Sequence, residues 1–107
     1  MSIYEPVEKL LDEAIRDFKD EFQRANSTVG ELCVLEPYEM NGLLKSNARA
    51  RAAMTVKTLI KDADEQAHST VVRQVENLTN EAIKMGSYSV GRFYERVIHT
   101  LKQSSSL

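Results

Sequence analysis

Apolar residues recur at helical spacing along nearly the whole chain. Val7, Leu10, Leu11, Ala14, Ile15, Phe18, Phe22 and Ala25 follow one another at steps of three and four, which predicts an amphipathic helix over residues 6–25. Pro6 suits the first helical position. Glu5, Glu8, Asp12 and Glu13 sit where the helix dipole favours acids. Asn26, Ser27 and Thr28 with Gly30 form the expected stop. Val29, Leu32, Val34 and Leu35 are apolar without a clear period, so a packed loop, a helical turn and a short edge strand all fit. Glu36-Pro37 then opens a short helix to about Leu44, weakened by Gly42.

The 43 residues between Gly42 and Gly86 contain neither glycine nor proline. With Ser46 or Asn47 as its cap, a single helix over 47–85 is expected, about 58 Å long at 1.5 Å per residue. Its stripe runs through Ala53, Val56, Ile60, Ala63, Ala67, Val71, Val75, Leu78, Ala82 and Met85. Steps of three and four alternate as far as Ala67, and two successive steps of four through Val71 to Val75 then shift the register. The middle of the stripe is thin, so a break near His68-Ser69-Thr70 competes, although no capping box supports it there. Gly86 has the position of a left-handed residue after a helix end. Val90, Phe93, Tyr94, Val97 and Leu101 mark a last helix over about 90–103. Residues 104–107, ending Ser104-Ser105-Ser106-Leu107, read as a disordered tail.

These elements predict one all-α domain over residues 1–103, a small helical bundle or hairpin built on one long central helix. The first and last helices, about 30 Å and 21 Å long, barely match the central one end to end. A second copy would cover what they leave, so homodimerisation is expected through Val56, Ile60, Ala63, Ala67, Val71, Val75 and Leu78.

Composition narrows the class without naming a function. The 107 residues are 42% hydrophobic and 28% charged, with no tryptophan, as expected of a folded helical chain and not of disorder. No signal peptide is visible at the start. The longest apolar run, Leu32 to Leu35, is far too short to span a bilayer. Cys33 is the single cysteine, which suits a reducing compartment and a small buried side chain. A cytoplasmic protein without membrane contact is expected.

Net charge is −2 but uneven. Residues 1–40 carry −6, residues 41–61 +5, residues 62–85 −3 and residues 86–107 +2. The basic stretch, with Lys45, Asn47, Arg49, Arg51, Lys57 and Lys61, is the candidate anion or partner site. Arg49 and Arg51 would lie in the first turn of the long helix, where free N–H groups favour anions and cations oppose the dipole. Pairing of these cations with the acidic first helix is the competing reading.

Three further constellations each have a simpler structural explanation. Ala82, Met85 and Gly86 occupy the small, apolar and turn positions of a helix-turn-helix, with Arg92 and Arg96 as nucleic-acid contacts. Its next core positions, however, fall on Arg92 and Glu95. Glu65 and His68 have the spacing of a di-iron ligand pair, yet both lie off the apolar stripe, so no metal is expected. Glu95 and His99 are spaced as a surface pair. No nucleophile–base–orienter set and no glycine-rich phosphate loop are legible. The expected function is therefore non-enzymatic and needs no cofactor. It is a small interaction or regulatory protein that homo-oligomerises and binds a protein partner or anionic ligand. The alternative is a DNA-binding regulator built around Gly86.

Overall fold

The computed structural model describes residues 3–32 and 35–105, apart from the side chains of residues 28–32, 65, 104 and 105. Among these residues there is no strand. The elements are α1 (Glu5–Leu32), α2 (Pro37–Ile60), a 3-10 turn (Glu65–Ala67), α3 (His68–Lys84) and α4 (Tyr88–Ser105). The chain is all-α, as its periodicity predicts. No described helix is long and apolar enough to cross a membrane.

The single helix expected over 47–85 is not what the chain forms. It stops at Ile60 and restarts at His68. The Ala63 N–H donates to the Ile60 carbonyl at 3.2 Å, and the Ala67 N–H donates to the Asp64 carbonyl at 3.1 Å and to the Asp64 carboxylate at 3.0 Å. Asp62 and Asp64 explain the position. An acid opposes the dipole at the end of a helix, whereas a short acid at the start of one caps it. The competing break near His68 is closer to the observed one, but neither Ser69 nor Thr70 caps it. Asp64 caps the 3-10 turn that leads into α3, and the N-cap position of α3 itself is Ala67, without a side-chain bond.

The other boundaries also move. The short helix expected to Leu44 and the helix expected from Asn47 are one element, α2. Its start is held by the Glu39 carboxylate, which accepts the Glu36 N–H at 3.4 Å. Gly42 costs a helix interior only about 1 kcal/mol, too little to end a helix whose later turns are buried. α1 likewise runs past Asn26-Ser27-Thr28 to Leu32. Cys33 and Val34 lie outside the described residues, so the expected burial of Cys33 falls there too. Ser104 and Ser105, expected in a disordered tail, are the last turn of α4, and residues 106 and 107 lie outside the described set.

Gly86 fulfils its expected role. Its φ is +79°, the Ser87 N–H donates to the Ala82 carbonyl at 2.8 Å, and the Gly86 N–H donates to the Ile83 carbonyl at 3.0 Å. This is the double-bonded Schellman end of a helix.

The four helices make two hairpins, α1 on α2 and α3 on α4, that share one core. Val7, Leu11, Val56, Val75, Val97 and Leu101 are fully buried, each worth about 1.5–3 kcal/mol over exposure. Buried residues in α1 fall between Val7 and Ala14, with Tyr4 just before it, and those in α2 between Ser46 and Ile60. The core is thus confined to one half of the first hairpin. The second hairpin is too short to cover the rest. α1 is about 42 Å long and α4 about 27 Å, and the molecule measures 52 × 32 × 19 Å.

Both ends of the shared core are pinned. At the closed end the His68 ring stacks on Tyr4, centroids 5.8 Å apart, and its Nε2 donates to the Leu101 carbonyl at 3.1 Å. That bond fixes the tautomer of the neutral ring, since a carbonyl only accepts. Burial pushes the Tyr4 phenol above its ordinary value, and the Asp64 carboxylate adds to the rise. At the open end the Arg49 guanidinium donates to the Ser89 hydroxyl at 2.8 Å. Beyond that contact residues 37–48 of α2 and the second half of α1 project past the α3–α4 corner.

Candidate interaction surfaces

The residues expected to form an oligomer face do not form one. Val56, Ile60, Val71 and Val75 are buried inside the chain's own core, and Ala63, Ala67 and Leu78 are half-buried beside it. The stripe that a 58 Å helix would have left bare is folded back on itself by the turn at 61–64.

The basic stretch is also dispersed. α2 starts at Pro37, so Arg49 and Arg51 lie more than three turns inside it, where no free N–H groups remain to favour an anion. Two positions apart on a helix, they point to nearly opposite sides. Arg49 reaches inward to Ser89. Lys57 pairs with Asp12 at 2.7 Å, both partners roughly half exposed, and an exposed pair of this kind contributes at most about 1 kcal/mol. That contact realises the competing reading, cation against acidic first helix, at one position. Lys45, Arg51 and Lys61 are exposed, and Asn47 is half-buried.

Arg92 and Arg96 are exposed on α4 and line a groove of about 520 Å³ with Leu10, Glu95, His99 and Thr100. Glu95 lines the same groove as the two guanidiniums, so the groove is not a clean anion site. The helices around Gly86 do not have helix-turn-helix geometry. A Cβ on Gly91 of α4 would stand 3.0 Å from the Ile83 side chain of α3, while at the far end His68 of α3 meets Leu101 of α4. The two helices therefore run antiparallel over their whole length, whereas a helix-turn-helix crosses at about 90–120°.

The nearest thing to a nucleophile beside a base is Ser46, whose hydroxyl donates to Glu21 Oε2 at 2.8 Å and lies 3.1 Å from the Leu43 carbonyl. Ser46 is 1% exposed, so no substrate reaches it. The pair acts as a clamp between α1 and α2 at the edge of the core. His68 is committed to Tyr4 and Leu101. No group of three metal-ligating side chains occurs among the described residues.

What the sequence reading missed lies on the first hairpin. Phe22 is 53% exposed, Tyr38 76%, Met40 44%, Leu44 59% and Met54 57%. Three of these fall within the seven residues 38–44. Phe22 packs against Phe18, ring centroids 6.0 Å apart. Ile83, Met85 and Tyr88, the other exposed large apolar side chains among those described, sit at the α3–α4 corner. A depression of about 820 Å³ on the projecting half is lined by Asp20, Gln23, Arg24, Ser27 and Glu39. Helix length was the signal that could have found this surface, since the stripe of α1 runs further than any partner helix in the chain. No family model matches the chain, and no curated protein and no solved structure is similar to it.

Proposed function

We propose that the chain is a non-enzymatic interaction module of the adaptor or regulatory kind, and that its first hairpin is the docking element. The supporting observation is the concentration of exposed Phe22, Tyr38, Met40, Leu44 and Met54 on that hairpin. Single exposed apolar side chains are normal, whereas a group of them on one element marks a contact surface. The exposed cations Lys45 and Arg51 stand beside them, so a protein partner with an apolar centre and an acidic rim fits best. Phe22 and Tyr38 are the anchors of the projecting end, because aromatic side chains supply most of the energy in such contacts.

Affinity capture from the native cell tests this, with the intact chain and a Phe22→Glu, Tyr38→Glu variant compared with and without nuclease. The expected result is a protein retained by the intact chain, lost by the variant and indifferent to nuclease. Capture that vanishes with nuclease would instead favour the DNA-binding alternative. Equal capture by both chains would remove the projecting end as the docking site.

A further inference from the structure

Met40, Leu44, Asn47, Arg51, Met54 and Thr58 recur along α2 at alternating steps of four and three. That is the spacing of a coiled-coil seam. None of them is buried, and Val56 and Ile60 occupy the opposite, inward side. α2 thus carries two seams, one spent on the core and one bare.

The bare seam is close to a palindrome. Outward from position 49, the polar pair Asn47 and Arg51 comes first, then the apolar pair Leu44 and Met54, then Met40 and Thr58. The charges of the helix are ordered as well. Glu36 and Glu39 stand at its start, and Lys61 follows its end with no ion pair among the described residues. We propose that a second copy of this chain covers this seam, with the two α2 helices antiparallel about a two-fold axis near position 49. This rests on the reading of the first hairpin as a docking element and adds which face is used and what occupies it.

The antiparallel arrangement puts each Arg51 against the partner's Asn47, whose side-chain carbonyl accepts from a guanidinium. It packs each Leu44 on the partner's Met54 and brings each Lys61 beside the partner's Glu36 and Glu39. A parallel arrangement would stack Arg51 on its own copy and set like ends of the helix together, which is destabilising. A polar residue at one seam position is also a known way to fix register. The seam from Met40 to Thr58 is about 27 Å long and 10 Å wide, a footprint of roughly 270 Å² on each copy. The total of roughly 540 Å² is small for a specific interface, and the dimer is expected to be weak, with Kd of order 100 μM.

The test is sedimentation equilibrium of the full chain from about 10 μM to about 1 mM, a range that brackets that Kd. The intact chain and Gln74→Glu, an exposed position on α3 away from the seam, should both pass from monomer to dimer. Leu44→Glu should raise Kd by about a hundredfold, since the two-fold axis duplicates a loss of about tenfold at each site. In a Cys33→Ser background, Leu44→Cys with Met54→Cys should cross-link between chains on mild oxidation. Leu44→Cys alone should not, because the two copies of position 44 lie about 15 Å apart along the axis and a disulfide needs Cα atoms within about 7 Å. An intact chain that stays monomeric throughout overturns the proposal, and so does a dimer that survives Leu44→Glu. Cross-linking by Leu44→Cys alone would overturn the antiparallel register. Each of these leaves the capture experiment on Phe22 and Tyr38 to decide the wider docking function.

Discussion

Replacing Asp64 by alanine asks whether the chain turns between α2 and α3 or runs straight through. The Asp64 side chain is exposed, and its carboxylate accepts the Ala67 N–H at 3.0 Å. Loss of a capping acid costs about 1 kcal/mol, within a range of about 0.5–2. In an uninterrupted helix the same substitution would stabilise, because alanine exceeds aspartate in helix propensity by about 0.5–0.7 kcal/mol. The two geometries therefore give opposite signs, separated by about 1.5 kcal/mol. Urea unfolding at neutral pH followed by far-ultraviolet circular dichroism reads the difference as a midpoint shift. Thermal unfolding should fall by about 4–8 °C for the expected loss of about 1 kcal/mol. Asp62→Ala is the control, since Asp62 is exposed and caps nothing, and it should stay within about 0.5 kcal/mol of the parent. An Asp64→Ala variant more stable than the parent would refute the assignment of the turn.

Gly86→Ala should lose about 1 kcal/mol in the same assay, because a Cβ at φ +79° is strained by about 1–2 kcal/mol and gains back some unfolded-state entropy; an unchanged midpoint would contradict the Schellman end. His68→Ala removes a ring stacked on Tyr4 and a bond to the Leu101 carbonyl, for a loss of about 2 kcal/mol, checked by urea unfolding. Alkaline stability follows from Tyr4 and Tyr94, whose phenols burial raises above 10.0, with Asp64 adding at Tyr4 and Glu81 at Tyr94. A raised folded value means the native state holds its proton more tightly than the unfolded chain. Their contribution is therefore present below pH 10 and is lost as pH climbs through the folded values. Unfolding free energy measured from pH 8 to pH 11.5 should stay level with respect to these groups and then fall from about pH 10.

Much of the fold was legible because burial and periodicity agree wherever the core is thick. The stripe of α1 from Val7 to Ala14, the face of α4 through Phe93, Tyr94, Val97 and Leu101, and the glycine corner at 86 all occur where the spacing places them. The long central helix was misread because the apolar stripe continues through the turn in register, and a stripe records which side faces inward, not whether the backbone is continuous. Asp62 and Asp64 carried the missing information as helix-end chemistry. At Gly42 the error ran the other way, since a local penalty of about 1 kcal/mol was outweighed by the burial of Val56 and Ile60 further along.

The candidate surface was legible only in part. Lys45, Arg51 and Lys61 are exposed as expected, whereas Arg49 and Lys57 are drawn to Ser89 and Asp12. Sequence spacing cannot tell those cases apart, because four of the five residues share α2, Lys61 follows its end, and they differ only in what lies opposite. The bare seam from Met40 to Thr58 was hidden for a related reason. α2 is apolar on two opposite sides, and the inward seam was the one that matched the neighbouring helix pattern.

Amide hydrogen exchange, resolved residue by residue, tests most directly the central claim of two hairpins sharing a core in one half only. The expected result is strong protection over residues 50–60, 71–82 and 93–101 and rapid exchange at 61–64. Protection along the projecting segments 18–27 and 37–45 should be weaker and should rise with protein concentration. Continuous protection from 47 to 85, or equal protection in both halves of the first hairpin at high dilution, would contradict it.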